Sequence, residues 1–316
     1  MKNSAESRGV RWDSHVQELE ATPELLKIQA ALENPSVKYP DYYLKPFHAY
    51  TTGNLEWLAA YEVEPATYAM GIRTFKAHPD WSAEKCFVVM RESITDAMKA
   101  YMKQHNLAEP KTLVDMGCST LVDMGCSTLV DMGCSVGMST QWMAQAWPSA
   151  AAVTGLDLST YMLAVAEWNR RQLSKPNRQG IQARIFPDGS RLAPITYVHG
   201  VAENSPFADA SVDLCAFNFV THECPQHAME DFCREAARIV KPGGLLTFVD
   251  NNPKSKTIQN LPPAIFTLMK STEPWSDEYY AFDLEAAMRK EGFQEVVTVE
   301  ADHRHRVVMG YKPAAN

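Results

Sequence analysis

The sequence lacks the features that mark several large classes of protein. Its 316 residues carry 38 acidic and 30 basic side chains, a formal net charge of −8, whereas a general nucleic-acid-binding protein needs a basic face. No run of 18 apolar residues is present, so no membrane span is predicted. None of the seven cysteines forms a C-x-x-C pair. We therefore predict no disulfide framework and no bound metal, and a reducing compartment.

The first twenty residues also lack the apolar core of a secretion signal, and they contain acidic residues that transit peptides avoid. We therefore expect a cytoplasmic protein, or a chloroplast protein if the chain is the mature form of a longer precursor. Nearly half of the residues, 46%, are apolar, which is enough for a sizeable core. A chain of this length holds one large domain, or one domain with an appendage.

An octapeptide, TLVDMGCS, occurs three times in succession, at 112–119, 120–127 and 128–135. Only the third copy continues into VGMST, which completes an aliphatic run that ends in Asp-x-Gly-x-Ser-x-Gly. Such a run predicts a strand that opens into a tight turn, where the backbone approaches a ligand and the next helix offers unpaired N–H groups. We predict that the third copy forms the strand and that 111–127 is surplus and looped out. The alternative is that one copy adds a strand elsewhere.

Residues 1–110 are predicted to form a mainly helical extension, with helical spacing around Val16–Leu32 and Cys86–His105. An aromatic-rich stretch between these helices is broken into turns by proline and glycine. Within it, His48 and Tyr50 are candidates for substrate contact if the stretch forms a lid over a pocket. Packing of the same rings against the main domain is the plainer interpretation.

From residue 128 onwards strands alternate with helices, which predicts a parallel sheet covered on both faces. The predicted strands are Thr128–Met132, Ala151–Asp157, Ile195–His199, Val212–Val220 and Leu245–Asp250. The predicted helices are Ser139–Ala146, Tyr161–Gln172, Ala228–Ile239 and Leu284–Glu291. A closing antiparallel hairpin is predicted at Glu295–Ala301 and Arg306–Tyr311. The predicted fold class is α/β: a doubly wound, mostly parallel seven-stranded sheet with a terminal antiparallel hairpin and a helical N-terminal extension.

An acidic residue, Asp157, ends the second predicted strand, 20 positions after Gly137. A carboxylate at that place is positioned to bond the hydroxyl groups of a ribose. A dinucleotide-binding turn would have the pattern G-x-G-x-x-G. Here Ser135 and Met138 follow Gly133 at the other two glycine positions, so the dinucleotide pattern fails.

At roughly 128–312 the chain resembles the class I S-adenosylmethionine-dependent methyltransferases, in particular those of small molecules. VDMGCSVG is similar to the first motif of this family, and GLDLSTYMLAVA is similar to the second. HGVAENSPFADASVDLCAFNFVTHECP and REAARIVKPGGLLTFVDNNP resemble the later motifs, in the same order. The whole chain, with segments such as PDYYLKPFHAY and DHRHR, is also similar to a little-characterised methyltransferase group of plants, algae and related phototrophs. We therefore predict that 128–316 is an S-adenosylmethionine-binding methyltransferase domain.

The resemblance implies S-adenosyl-L-methionine as the cofactor and implies where it binds. Contacts to the amino-acid end of the cofactor are implied for Asp131, which would hold the turn or the ammonium group, and for Gly133, Ser135 and Gly137. Contacts to the nucleoside and to the methionine side are implied for Asp157, Leu158, Ala202, Glu203 and Asn218. Val201 stands where family members commonly have the acidic residue that accepts the adenine amino hydrogens, so this chain departs from the family at that point.

The predicted catalytic residue is His222, which follows the fourth strand at the edge where open α/β sheets bind ligands. An imidazole suits a general base, or a group that orients the acceptor, at near-neutral pH. A histidine packed at a strand end is an equally good interpretation. Trp275 and Tyr279 lie in an insertion that would cover an acceptor site, although ordinary packing explains them as well. For the segment 302–306, DHRHR, a solvated turn or a site for an anionic substrate group is favoured over metal binding.

We therefore predict an enzyme that transfers a methyl group from S-adenosyl-L-methionine to a small-molecule acceptor, with O- or C-methylation favoured. The acceptor is the only predicted partner, with no nucleic acid and no membrane span. One alternative is an NAD-dependent oxidoreductase on a Rossmann-like sheet, which the missing third glycine and the terminal hairpin oppose. The other is a catalytically degenerate scaffold that binds a nucleoside.

Overall fold

A seven-stranded sheet forms the centre of the protein. The computed structural model describes residues 2–48, 50–108, 128–177 and 180–314. The strands are β1 Thr128–Met132, β2 Ala152–Asp157, β3 Ile195–His199, β4 Val212–Asn218, β5 Val240–Asn251, β6 Gln294–Glu300 and β7 His305–Tyr311. Their order in the sheet is β3-β2-β1-β4-β5-β7-β6. Strands β1 to β5 pair in parallel, while β7 runs antiparallel to β5 and to β6. The predicted mostly parallel sheet with a terminal antiparallel hairpin is therefore confirmed.

The third octapeptide copy supplies β1, as predicted. Leu129, Val130 and Met132 are fully buried because helices cover both faces of a parallel sheet. The extra copies at 111–127 lie outside the described residues. Strand β5 begins at Val240, five residues earlier than predicted, because Val240 pairs with Val212; after a shift in register the pairing with β4 resumes at Leu245.

The N-terminal part of the chain is helical. Its helices are α1 Lys2–Glu6, α2 Trp12–Glu20, α3 Glu24–Leu32, α4 Trp57–Thr74 and α5 Ala83–Gln104. The sequence analysis does not predict α4, which contains Pro65 and carries apolar residues around most of its circumference. Ser82 caps the start of helix α5, because its hydroxyl oxygen accepts a hydrogen bond from the backbone N–H of Lys85 at 3.1 Å. The buried face of this helix carries Phe87, Met90 and Ile94.

The remaining helices cover the sheet and its carboxyl edge. They are α6 Met138–Ala146, α7 Thr160–Leu173, α8 Ile181–Ile185, α9 Gln226–Ile239, α10 Lys256–Gln259, α11 Pro263–Thr272, α12 Ser276–Ala281 and α13 Leu284–Lys290. A 3₁₀ turn at Thr221–Glu223 follows β4. Among the described residues, no helix combines the length and the apolarity that crossing a membrane requires.

Two apolar layers enclose the sheet. One contains residues of the N-terminal helices together with α6 and α7, and the other contains residues of α9 and α13. Helices α3 and α4 both pack on α7, which attaches the N-terminal segment to the sheet. Strand β1 has β2 on one side and β4 on the other, so the chain connections diverge at this point. In open α/β sheets this divergence creates a crevice at the carboxyl ends of the strands.

Candidate functional site

A cavity of about 940 Å³ lies at the carboxyl ends of β1, β2 and β4. Its walls come from the turns after these strands, from the N-terminal segment 42–73, from helix α5 and from residues around Glu273 and Arg304. Ligand sites in proteins usually measure about 300–1,000 Å³, so this cavity is at the large end of the range. It has room for a nucleoside-sized ligand and a second small molecule.

The turn after β1 is held in shape by Asp131, which lies beneath the cavity. The buried carboxylate accepts hydrogen bonds from the hydroxyl groups of Ser139 at 2.8 Å and Thr140 at 2.7 Å, and from the side-chain amide of Asn218 at 2.8 Å. Burial raises the pKa of Asp131, and these hydrogen bonds act in the opposite direction. Asp131 therefore connects β1 to the start of α6 and to the end of β4.

Two glycines in the same turn adopt positive φ angles, +70° at Gly133 and +77° at Gly137. A Cβ atom at Gly137 would lie 2.2 Å from the hydroxyl oxygen of Tyr197, and one at Gly133 would lie 2.7 Å from a methyl carbon of Val220. Neither position accepts a side chain, and both favour glycine for conformational reasons as well. Between them Ser135 has a φ of +50°, a strained conformation for a residue with a Cβ atom. The conformation of this turn and its close packing against Val220 and Tyr197 therefore require glycine at both positions.

Asp157, at the end of β2, lies in the cavity wall next to this turn. One carboxylate oxygen accepts the backbone N–H of Ser135 and the other accepts that of Ser159, both at 2.7 Å. Burial raises the pKa of Asp157 to about 6, although the two hydrogen bonds favour the charged form. The turn and the carboxylate are therefore one hydrogen-bonded unit.

Glu203 and Ala202 line the cavity at the same end as Leu158. One oxygen of Glu203 accepts a hydrogen bond from the hydroxyl group of Tyr42. Its other oxygen, Oε2, is buried and has no hydrogen-bond partner among the described residues. A carboxylate thus lies in the cavity wall two residues after Val201.

A buried arginine, Arg91 of helix α5, also lines the cavity. Only 5% of the residue is exposed, and its guanidinium group lies between the rings of Phe87 and Phe219, 5.3 Å from each centroid. Its Nε has no hydrogen-bond partner within the described part of the chain. Burial lowers the pKa of Arg91 to about 10, while the charge of Asp131 acts to raise it.

The sequence analysis does not identify Arg91, although a signal for it exists. Arg91 follows Phe87 by four positions and precedes Ile94 by three, so it lies on the apolar face of a predicted helix. A charged residue on such a face is rarely buried without a partner.

His222 also lines the cavity, and Asp250 holds its ring. The Nδ1 atom is 2.9 Å from a carboxylate oxygen of Asp250, and Asp250 also accepts hydrogen bonds from the hydroxyl of Thr221 and the backbone N–H of Asn251, each at 2.7 Å. Burial acts to lower the pKa of His222, but the charge of Asp250 and its hydrogen bond raise it to about 10. The other ring nitrogen, Nε2, is 4.0 Å from a carboxylate oxygen of Glu223.

The aromatic-rich N-terminal stretch contributes His48 and Tyr50 to the same cavity. The backbone N–H of His48 donates to the carbonyl of Thr272 at 2.9 Å, and its Nε2 lies 3.6 Å from Oε1 of Glu273. The side-chain amide of Asn54 donates to Glu223 at 2.9 Å. These contacts join the N-terminal stretch to the turn after β4 and to the end of α11. The sequence analysis does not identify Glu273.

The structure brings most of the predicted site residues together in one wall. These are Gly133, Ser135, Asp157, Leu158, Ala202, Glu203, Asn218, His222, His48 and Tyr50. Asp131, Gly137, Trp275 and Tyr279 lie outside that wall. The hydroxyl of Tyr279 donates to the carbonyl of Asn251, and its ring packs edge-on to His222 at 6.4 Å. Tyr279 therefore supports His222 from behind and does not face the cavity.

The comparison with known families agrees with this geometry. Residues 130–248 match the model of a family described as a methyltransferase domain. The matched segment is less than half of the chain, and it is similar to a methyltransferase domain. S-adenosylmethionine is the methyl donor of this class of methyltransferase domain.

Two curated relatives cover the methyltransferase domain in part. An uncharacterised methyltransferase of Synechocystis is 30% identical over 137 residues, which are 43% of this chain and 53% of that protein. A malonyl-[acyl-carrier protein] O-methyltransferase of Erwinia pyrifoliae is 33% identical over 113 residues, which are 35% of this chain and 34% of that protein. The chain thus spans about half the length of the first relative and about a third of the second.

Among solved structures, the CurJ carbon methyltransferase is similar over nearly the whole chain. The alignment covers 96% of this chain and 71% of that one, with a TM-score of 0.51 and 13% sequence identity. At that identity the similarity concerns the fold alone. It extends over the N-terminal helices as well as over the methyltransferase domain.

Proposed function

We propose that the protein transfers a methyl group from S-adenosylmethionine to a small-molecule acceptor. The observation that carries the proposal is the hydrogen-bonded unit of the β1 turn and Asp157, which faces a cavity large enough for two ligands. The cofactor supplies a methyl group bound to a positively charged sulfur, so the protein's main tasks are to align the acceptor and to exclude water.

The nucleoside end of the cofactor fits the wall formed by Asp157, Leu158 and Glu203. The Asp157 carboxylate would accept hydrogen bonds from the ribose hydroxyl groups, and Leu158 would pack against the adenine ring. The unpartnered Oε2 of Glu203 supports a further role, because a buried carboxylate oxygen without a donor is costly and the adenine amino group supplies one.

The amino-acid end of the cofactor fits the part of the cavity near Arg91. The residue is nearly fully buried, and its Nε has no hydrogen-bond partner among the described residues. A buried cation without a hydrogen-bonded anion is strongly unfavourable, whereas a bidentate guanidinium–carboxylate pair is favourable. Arg91 would therefore bind the cofactor carboxylate, with the backbone of Gly133 and Ser135 close to the same group.

The acceptor fits the end of the cavity that contains His222. Asp250 fixes the ring so that Nε2 is free to contact the acceptor, which would be methylated on oxygen or carbon. His48 and Tyr50 would cover this end and exclude water. Two further guanidinium groups, of Arg73 and Arg304, line the cavity and support an acceptor with an anionic group.

Calorimetry with S-adenosylhomocysteine tests the proposal directly. We expect binding at micromolar concentration, and no binding at high micromolar concentration would contradict it. Binding of NAD in place of S-adenosylhomocysteine would instead support an oxidoreductase. A turnover screen of phenols and small acids would then test whether the acceptor is anionic. Each acid is compared with its methyl ester, and the neutral ester should be the poorer substrate.

A further inference from the structure

Three side chains that commonly bind metal ions meet at the acceptor end of the cavity. They are His48, His222 and Glu273, and one ligand atom of each lies within 4.8 Å of the other two. They come from the N-terminal stretch, from the turn after β4 and from the end of α11. Because these segments are distant in the sequence, the sequence analysis predicts no metal there.

His222 is already oriented as a metal ligand. Its Nδ1 is engaged by Asp250 at 2.9 Å, so Nε2 is the nitrogen that faces the cluster. Metal-bound histidines usually have their second nitrogen held by a carboxylate in this way, because that contact fixes the ring and makes the first nitrogen a better ligand. Asp250 is in turn held by donors from Thr221 and Asn251.

His48 and Glu273 are spaced as two ligands of one ion. Their nearest atoms, Nε2 and Oε1, are 3.6 Å apart, which is longer than an ordinary N–H···O hydrogen bond. Two ligands each about 2.1 Å from a tetrahedral ion are separated by about 3.4 Å. The hydrogen bond from the backbone N–H of His48 to Thr272, the residue before Glu273, holds the two segments together.

The charges around the cluster favour a cation. Asp250, Glu223 and Glu273 surround the ring of His222, and the amide of Asn54 keeps the Glu223 carboxylate near it. The side chain of His48 is 43% exposed, so it is free to move the short distance that coordination requires. The guanidinium groups of Arg73 and Arg304 interact with the charge of Glu273, and they would pair with an anionic acceptor instead once an ion is bound.

We propose that His48, His222 and Glu273 bind one divalent transition-metal ion, such as Zn²⁺ or Fe²⁺. Two imidazoles and one carboxylate suit these ions, and three protein ligands leave open positions, as in catalytic sites. The open positions face the cavity, where oxygen atoms of the acceptor would complete the coordination. Binding of the ion is inferred from the geometry of the cluster alone. The role of the ion toward the acceptor rests on the proposed function.

Titration of the chelator-treated full-length protein with Co²⁺ and Zn²⁺ tests the site. We expect one ion per chain, with the visible absorption of Co²⁺ in a low-symmetry nitrogen and oxygen site and a micromolar affinity for Zn²⁺. His48→Ala and Glu273→Gln should each weaken binding more than tenfold. The exposed His78, which lies outside the cavity, provides a matched control, and His78→Ala should leave binding unchanged.

The titration is done without cofactor, so its outcome is independent of the proposed function. Failure to bind S-adenosylhomocysteine while the ion still binds would remove the methyltransferase function and leave the metal site. No binding of either ion at millimolar concentration, or equal affinity in wild type, His48→Ala and Glu273→Gln, would overturn the site. Thermal unfolding of each variant checks that it is folded, and Glu273→Gln preserves the size of the side chain.

Discussion

The guanidinium group of Arg91 lies 5.3 Å above the ring of Phe219, the residue that follows the last position of β4. The contact places a nearly fully buried positive charge next to the Asp131–Asn218 hydrogen bond that closes the β1 turn. An aromatic face stabilises a cation by only about 0.5–2 kcal/mol, which does not offset the loss of hydration of a buried charge. The charge of Asp131 offsets part of this cost, and the carboxylate of the proposed cofactor would offset more of it.

Replacing Arg91 by methionine should have opposite effects on binding and on stability. The affinity for S-adenosylhomocysteine should fall by about 1.5–3 kcal/mol, the contribution of a charged hydrogen bond. The melting temperature of the ligand-free protein should stay the same or rise, because a buried charge is replaced by an apolar side chain of similar length. Calorimetry and thermal unfolding measure the two effects.

5′-Methylthioadenosine, which lacks the amino-acid carboxylate, is the control ligand for this substitution. Its affinity should be the same for wild type and Arg91→Met. An equal loss for both ligands, or a lower melting temperature, would mean that Arg91 has a structural role only.

Removing the Asp157 carboxylate should weaken cofactor binding. For Asp157→Ala we expect a loss of about 1–3 kcal/mol in the affinity for S-adenosylhomocysteine, because the charged hydrogen bonds to the ribose disappear. The exposed Asp80 is outside the cavity, so Asp80→Ala is the control and should bind as wild type does. An unchanged affinity in Asp157→Ala would place the ribose elsewhere.

Cofactor affinity should depend on pH through Asp157. The pKa of this carboxyl group is raised by burial to about 6, and ribose hydroxyl groups bind the charged form better. The affinity should therefore be constant above about pH 7 and should fall as the pH decreases through 6, because protonation then competes with binding. Calorimetry across this range checks the effect. Asp157→Asn should lose the dependence, and a slope that persists in this variant would assign it to another group.

The same raised pKa predicts how the stability of the ligand-free protein changes. The folded form binds the Asp157 proton more tightly than the unfolded chain does, whose carboxyl group has a pKa of about 3.9. The contribution of this group to stability therefore increases as the pH falls from about 6 to about 4. Urea unfolding of wild type and Asp157→Asn at several pH values separates this contribution from those of the other carboxyl groups.

Glu203 should determine the preference for adenine. If its unpartnered oxygen accepts the adenine amino hydrogens, Glu203→Gln should reduce the preference for S-adenosylhomocysteine over S-inosylhomocysteine, in which an oxygen replaces the amino group. Competition binding measures the ratio directly. Tyr42→Phe removes only the hydroxyl that holds Glu203 and should have a smaller effect. An identical ratio in wild type and Glu203→Gln would exclude contact with the amino group.

Deleting 112–127 should leave cofactor affinity unchanged or improved. The prediction follows from the third octapeptide copy, which by itself supplies β1 and the turn that continues into α6. Calorimetry on the shortened chain tests it. A large loss of affinity would show that the additional copies are part of the folded site.

Much of the sheet could be predicted because its signals are local. The strands after residue 128 are short apolar runs, and the turn glycines stand at positions that a side chain cannot occupy. Helix α4 was not predicted, because its apolar residues show little periodicity and Pro65 interrupts the pattern. Trp275 and Tyr279 were predicted to contact the substrate, but neither lines the cavity. The position of a residue in the sequence does not show which way its ring faces.

The sequence by itself determined the α/β class, the strands of the sheet and the turn with its carboxylate, because each depends on residues within about twenty positions of one another. Only the tertiary structure decided that Arg91 and Glu273 share the cavity and that His48 lies beside His222. Those proximities result from how the N-terminal helices and the segment around α11 pack over the sheet edge. Contacts between distant segments leave no periodic pattern in the sequence. Which charged side chains meet in the site is therefore known only from the folded structure.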